Sequence, residues 1–157
     1  MISIKSKFKT PPVFIAIVSV VLPPLLIYLS FTSRNAGKFL PILFLLLTIF
    51  FWLTMFRTRA HKLTIDDRYI IVNRYFGLGK SKVYEINNLD GFIVLFEVGK
   101  EGMAEFLFIL ENGKRIASIS TSYHSNYNEL KDVLREKIRD LGEKVYVSKE
   151  ESAEMLK

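Results

Sequence analysis

Two runs without a single charge constrain this chain most: VFIAIVSVVLPPLLIYLSF at residues 13–31 and FLPILFLLLTIFFWLTMF at residues 39–56. At 1.5 Å rise per residue each makes a helix of roughly 27 Å, close to the hydrocarbon thickness of a bilayer. A core helix of a water-soluble protein keeps a polar stripe where it meets solvent, and neither run has one. Residues 13–56 therefore read as a two-helix transmembrane hairpin. A cleaved leader over residues 1–30 fits less well. The first apolar stretch is longer than the hydrophobic region of such a leader, Pro23-Pro24 interrupts it, and no A-x-A-like site follows.

The formal charge of +6 and the pI near 9.5 suggest nucleic acid until their location is considered. All sixteen Asp and Glu lie beyond Lys62, where they outnumber the Lys and Arg. The basic excess flanks the apolar runs, with Lys5, Lys7 and Lys9 before the first and Arg57, Arg59 and Lys62 after the second. The connection TSRNAGK holds only Arg34 and Lys38. Positive residues favour the cytoplasmic side, which predicts a multi-pass protein of the cell (inner) membrane with both termini cytoplasmic and about residues 32–38 outside. The expected partner is the lipid bilayer, with no nucleic acid. Three cations after the second run fall short of the usual polybasic lipid site of four to eight.

Thr10 before Pro11-Pro12 predicts a helix start, because first-turn N–H groups need no intrahelical acceptor. Pro23-Pro24 frees the carbonyls of Ser19 and Val20 and predicts a kink, read either as a bend packed against the second helix or as a hinge. Neither run holds an ionisable residue, which argues against an ion or proton path.

Beyond residue 61 the texture changes. KLTI, RYIIVNRYF, KSKVYEI, GFIVLFEV, MAEFLFILE and KRIASIS are β-type runs separated by turn signals, of which Asn112-Gly113 is the strongest. Six strands at this spacing predict an antiparallel meander. From Asn126 the period switches: Tyr127, Leu130, Leu134, Ile138 and Leu141 form one apolar helical stripe. Asn126 is the expected cap, Glu129 its capping-box partner and Gly142 the C′ residue. Lys131, Asp132, Arg135, Glu136, Arg139 and Asp140 then face solvent. The expected organisation is a cytoplasmic amino-terminal tail (1–12), the hairpin (13–56), a β-domain (61–142) and a mobile polar tail (143–157).

The order of two apolar helices, a basic junction, TIDDRYIIVNRYFGLGKSKVYEINNLDGF, a hairpin closed by ENGKRIASI and a terminal helix resembles small bacterial membrane proteins carrying a pleckstrin-homology-like (PH-like) domain. Their pattern is a strand, an Asp-rich turn, a strand ending in Phe-Gly, and a basic strand feeding an I-x-x-I/L step, here Val83 to Leu89. The resemblance covers about residues 10–141. It implies a membrane α-hairpin plus a mostly β, α+β domain, a partly open antiparallel barrel of about six strands capped by a carboxy-terminal amphipathic helix, serving binding or assembly. Relatives that bind phosphoinositides use several Lys and Arg in the first hairpin. Here its turn is Asp66-Asp67 with Arg68 and Arg74 alone on the second strand, a weak phosphate site.

Enzyme chemistry finds no footing in the residues. The chain has no cysteine, and His61 and His124 lack metal-ligand spacing; the first reads as an interfacial residue and the second as a loop residue. Gly79-Lys80-Ser81 looks like the end of a phosphate-binding loop, but Arg74 stands where the first glycine belongs and the context is strand-turn-strand. Asp66-Asp67 reads as a turn. Ser118, Ser120, Thr121 and Ser122 lack a base nearby. The expectation is a non-enzyme without catalytic, metal or cofactor residues. It is a membrane-anchored PH-like binding or scaffold module, or alternatively an accessory or regulatory subunit recruited through its hairpin.

One feature points to a partner. FIVLFEV (92–98) and FLFIL (106–110) do not alternate, so apolar side chains point both ways. Ile93, Leu95, Leu107 and Ile109 are read as one face, and Phe92, Val94, Phe96, Phe106, Phe108 and Leu110 as the other. A capping helix covers one face, which leaves the hairpin centred on Gly99 to Gly102 as an interaction surface for an unknown protein or for self-association. The competing expectation is that curvature or the membrane hairpin buries both faces within one chain.

Overall fold

A computed structural model describes residues 3–33, 37–99, 102–145 and Ala153. In chain order the elements are strand β1 (Ile4–Lys5), helix α1 (Thr10–Thr32), helix α2 (Phe39–Arg59), strands β2 (Lys62–Ile65), β3 (Tyr69–Asn73), β4 (Ser81–Glu85), β5 (Gly91–Gly99), β6 (Gly102–Glu111) and β7 (Lys114–Ser120), helix α3 (Tyr127–Lys137) and strand β8 (Asp140–Val145).

Both apolar runs form helices long and apolar enough to cross a bilayer, and only 17% and 11% of their most apolar windows are buried. A core helix of a soluble protein would be covered on most of its surface. Helix α1 starts with its prolines in the first turn, but Lys9 occupies the cap position where Thr10 was expected, and no side chain caps it. It runs unbroken through Pro23 and Pro24, with Pro23 buried. Helix α2 contains a π-helical turn at Trp52–Phe56. There the Trp52 indole N–H donates to the Ser19 hydroxyl of α1 at 3.0 Å, and the Thr54 hydroxyl donates to the Phe50 carbonyl at 2.7 Å. Arg34, in the connection, lies outside the described residues.

All six expected strands form, yet they close no barrel. They lie in two open four-stranded sheets, β1-β2-β3-β4 and β7-β6-β5-β8. The meander breaks between β4 and β5, where a short helical turn at Ile86–Asn88 precedes Gly91 at φ +140°. The inner faces of both sheets and the apolar stripe of α3 share one core, in which Leu63, Ile65, Phe92, Leu107, Ile109, Leu130 and Leu134 are fully buried.

Two strands were invisible in the sequence. Strand β1, in the segment read as a tail, pairs antiparallel with β2 through Ile4 with Ile65. Beyond it the Ser6 N–H donates to the Leu63 carbonyl at 2.8 Å and the Leu63 N–H to the Ser6 hydroxyl at 2.9 Å. Strand β8 pairs parallel with β5. Helix α3 therefore ends one turn earlier than its stripe suggested. Ile138 turns extended at φ −133° and ψ 157°, and the Arg139 carbonyl accepts the Phe92 N–H at 2.9 Å. Ile138 stays in the core while Leu141 is 42% exposed. Gly142 lies within β8 and is not a C′ residue; Glu143 to Val145 are strand and not tail. Unpaired edge groups of β5 gain partners this way, which one more turn of helix would not provide. The rest of the expected tail, Ala153 excepted, lies outside the described residues.

Candidate functional site

Strand register brings one end of the sheets to the helices. Lys62 pairs with Asn73 and Asn73 with Ser81, so the start of β2, the end of β3 and the start of β4 gather where α2 ends. The amino-terminal segment arrives at the same place: the Lys9 N–H donates to the Tyr123 carbonyl at 2.8 Å, and the Phe8 ring lies 4.9 Å from His124. Asn126 holds that segment down. It occupies the cap position of α3 but makes no side-chain cap bond. Its Oδ1 accepts the Lys7 N–H at 2.8 Å and its Nδ2 donates to the Lys5 carbonyl at 3.0 Å. The segment entering α1 and the sheets leaving α2 are thus joined at one end of the helix pair.

An aromatic layer fills this junction. Trp52 stacks near Tyr75 at 6.1 Å, Phe56 meets Phe76 edge-on at 5.2 Å, and Phe76 lies 5.0 Å from Phe8. Tyr75 and Phe76 reach α2 by taking φ of +53° and +57°, which L-residues adopt at a cost of about 1–3 kcal/mol each. Ring packing and the bond from the Phe76 N–H to the Ala60 carbonyl at 2.8 Å offset that strain.

Beneath the aromatics lie both histidines, buried at 4% and 1% exposure, not at an interface or in an open loop. His61 Nδ1 accepts the Ser118 N–H at 2.8 Å, which leaves Nε2 as the donor to the Arg57 carbonyl at 2.9 Å. His124 repeats the device: its Nδ1 accepts the Ser120 N–H at 3.2 Å, and its Nε2 donates to the His61 carbonyl at 2.9 Å. The Ser118 hydroxyl donates to the Thr58 carbonyl at 2.7 Å. Burial, reinforced by the Arg74 charge and opposed by the Arg57 carbonyl, pushes the His61 imidazole down to about 4. Burial likewise lowers His124. Both rings are neutral staples between the end of α2, β2 and β7. The hydroxyl run at Ser118 and Ser120 belongs to this network.

The flanking cations divide. Lys5, Lys7, Lys9 and Lys62 are exposed and Arg57 is half-buried. Arg59 is buried; its guanidinium pairs with Glu97 at 3.1 Å and lies 4.6 Å over the Phe106 ring. Its charge is engaged within the fold.

The expected interaction surface is corrected. Ile93, Leu95, Leu107 and Ile109 are 4%, 3%, 0% and 0% exposed, and they do not share a face. Val94 stands opposite Leu107 and Phe92 opposite Ile109, so Leu107 and Ile109 belong to the main core. Ile93 and Leu95 join Phe106 and Phe108 in a second, smaller cluster, rimmed by Arg59 and by Arg115, which lies 4.1 Å over Phe108. Cross-strand register decided this, and one strand read alone does not contain it. What the hairpin exposes is its tip, with Val98 at 83% and Met103 at 68%.

Sequence reasoning missed a cleft beside the junction. Val72, Arg74, Tyr75, Gly79, Lys80, Lys82, Tyr84 and Ile116 enclose about 190 Å³. Val72 and Ile116 make an apolar floor, and Arg74, Lys80 and Lys82 a basic rim. The alternation of Lys80, Lys82 and Tyr84 along β4 was a legible signal, but only the pairing of Val72 with Lys82 brings Arg74 to it. Gly79-Lys80-Ser81 is a turn entering a strand, where the Ser81 hydroxyl accepts the Asn73 amide at 2.6 Å. The acidic turn lies at the other end of the sheet: Asp66 Oδ1 accepts the Asp67 N–H at 2.8 Å, and Asp67 pairs with Lys137 at 3.0 Å. Among the described residues no group of three or more His, Cys, Asp or Glu is placed to hold a metal. Compared with known proteins, the chain matches no family model, no curated protein and no solved structure.

Proposed function

We propose that this chain is a membrane-anchored binding or scaffold module, whose two-helix hairpin holds a PH-like β-domain against the cytoplasmic face of a cell membrane. The observation that carries this reading is the contrast between the two halves: the helices leave most of their apolar surface uncovered, while the sheet domain completes its own core. Burying such helices in lipid removes that surface from water at about 25 cal/mol per Å². The amino-terminal strand supports the anchoring. Bonded to β2 and to Asn126, it ties the segment before α1 to the domain after α2, so both helix ends that carry Lys5, Lys7, Lys9 and Lys62 face one side. That side is the cytoplasm by the distribution of positive charge. Two open sheets around one core, followed by an amphipathic helix, support the PH-like reading.

Reporter fusions after residues 35 and 150, in a bacterial inner membrane, test the arrangement. Activity of a reporter that works only outside the membrane, at residue 35 alone, is the expected result. The same activity at residue 150 reverses the orientation, and a cleaved amino terminus near residue 33 removes the hairpin.

A further inference from the structure

The turn between β3 and β4, residues 74–80, leaves the sheet to pack against the end of α2. Tyr75 and Phe76 spend backbone strain to lie along α2, and Tyr75 reaches Trp52. Trp52 is seven residues before Arg59, so the turn descends about 10 Å along the helix. With α2 in a bilayer this is the depth of the headgroup interface, where Trp and Tyr concentrate. Leu78, whose N–H donates to the Tyr75 carbonyl at 3.0 Å, sits at the tip of this turn. It is 81% exposed, and none of the described residues covers it.

The neighbouring cleft, lined by residues on both sides of Leu78 in the chain, has matching chemistry. Arg74, Lys80 and Lys82 converge on it, and among the described residues no carboxylate lies within ion-pair distance of the three. Glu111 is the carboxylate whose charge reaches the cleft, at Tyr84. At about 190 Å³ the cleft is smaller than the ~300–1,000 Å³ sites of drug-sized molecules and has room for a phosphate-sized group. An anionic group with an apolar neighbour fits a basic rim over an apolar floor.

We propose that residues 74–80 dock the β-domain onto the bilayer surface: Leu78 enters the acyl boundary, and Arg74, Lys80 and Lys82 hold the phosphate of an acidic phospholipid. This rests on the membrane-anchored reading above. The docking face lies at the end of the sheet opposite Asp66-Asp67. It gives the domain a second attachment to the membrane, beside the packed junction with the helices.

The absence of cysteine permits a direct test on the full chain. Single variants Leu78→Cys, Leu46→Cys in mid-helix and Asp67→Cys in the far turn each carry a nitroxide label. They are reconstituted in vesicles of phosphatidylcholine alone or mixed with phosphatidylglycerol, and relative accessibility to oxygen and to a water-soluble nickel chelate reports depth. The expected result is a label at 46 in the hydrocarbon, at 67 in water, and at 78 in the interface, deeper in the acidic vesicles. Adding Lys80→Gln and Lys82→Gln should lower the docked-to-undocked ratio about five-fold each, with far-ultraviolet circular dichroism unchanged as the check on folding. A label at 78 in water while 46 lies in lipid overturns the docking turn and leaves the anchor standing. A label at 46 in water overturns the anchor itself. Immersion at 78 that ignores both phosphatidylglycerol and the lysine substitutions overturns the phosphate site.

Discussion

Acid should loosen this protein at one identifiable place. His61 accepts the Ser118 N–H on Nδ1 and donates from Nε2 to the Arg57 carbonyl, so a proton added at Nδ1 turns an acceptor into a donor facing a donor. The groups around the ring make that proton less welcome still, with Arg74 and His124 nearby and no carboxylate among the influences on it. In the unfolded chain His61 protonates at 6.5, and in the folded chain at about 4. Between those values the unfolded state binds the proton and the folded state does not. Stability is therefore complete above pH 6.5 and falls as the pH drops toward 4. At about 1.4 kcal/mol per pH unit the loss is ~3 kcal/mol, a large share of the ~5–15 kcal/mol that holds a typical domain folded. His124, lowered by the same burial, adds with the same sign. Asp67, held low by Lys137, titrates below 3.8 and outside this window. The assay is urea unfolding of the full chain in a non-ionic detergent from pH 7 to about pH 4. Trp52, the single tryptophan, reports the junction, and far-ultraviolet circular dichroism reports the sheets. His61→Gln, which does not titrate, should flatten most of the slope, and the ring resonances of His61 should shift with a midpoint near 4. A His61 midpoint near 6.5, or equal slopes in the two proteins, refutes the reasoning.

Gly91→Ala should be among the most damaging small substitutions. At φ +140° its new Cβ would run into the backbone carbonyl oxygen of Arg139, the acceptor that starts the parallel pairing of β8. A cost of at least ~1–3 kcal/mol, with hydrogen exchange accelerated in β8 before the rest of the domain, is the expected outcome. Leu134→Ala, at a fully buried site in α3, should cost ~2–5 kcal/mol through lost transfer energy and a cavity, measured by the same unfolding assay. Lys131, read from sequence as solvated, instead pairs with Glu105 at 15% side-chain exposure. Lys131→Ala should therefore cost ~1–2 kcal/mol, between an exposed and a buried pair, and a double-mutant cycle with Glu105→Gln should recover most of it.

Elements whose signals are local could be read from the amino-acid sequence. Charge-free runs of helix-spanning length, β-branched runs between Gly and Asn turns, and the spacing of Tyr127, Leu130 and Leu134 each describe a few consecutive residues, and each appears where it was read. Tertiary structure decided everything that depends on which segments meet. Strand β1 is two residues long and exists because Leu63 and Asn126 present partners to it. Strand β8 replaced the last turn of α3 because an open edge of β5 offered hydrogen bonds that a helix end lacks. The faces of Ile93, Leu95, Leu107 and Ile109 followed from a register set by the Gly99 to Gly102 hairpin, since a slip of one residue exchanges the faces. Arg59 left the membrane flank for Glu97, and both histidines went inside, because long-range packing surrounded them with carbonyls and N–H groups. The basic cleft is the same kind of fact: Arg74 and Lys82 are eight positions apart in the chain, and only the pairing of β3 with β4 makes them neighbours.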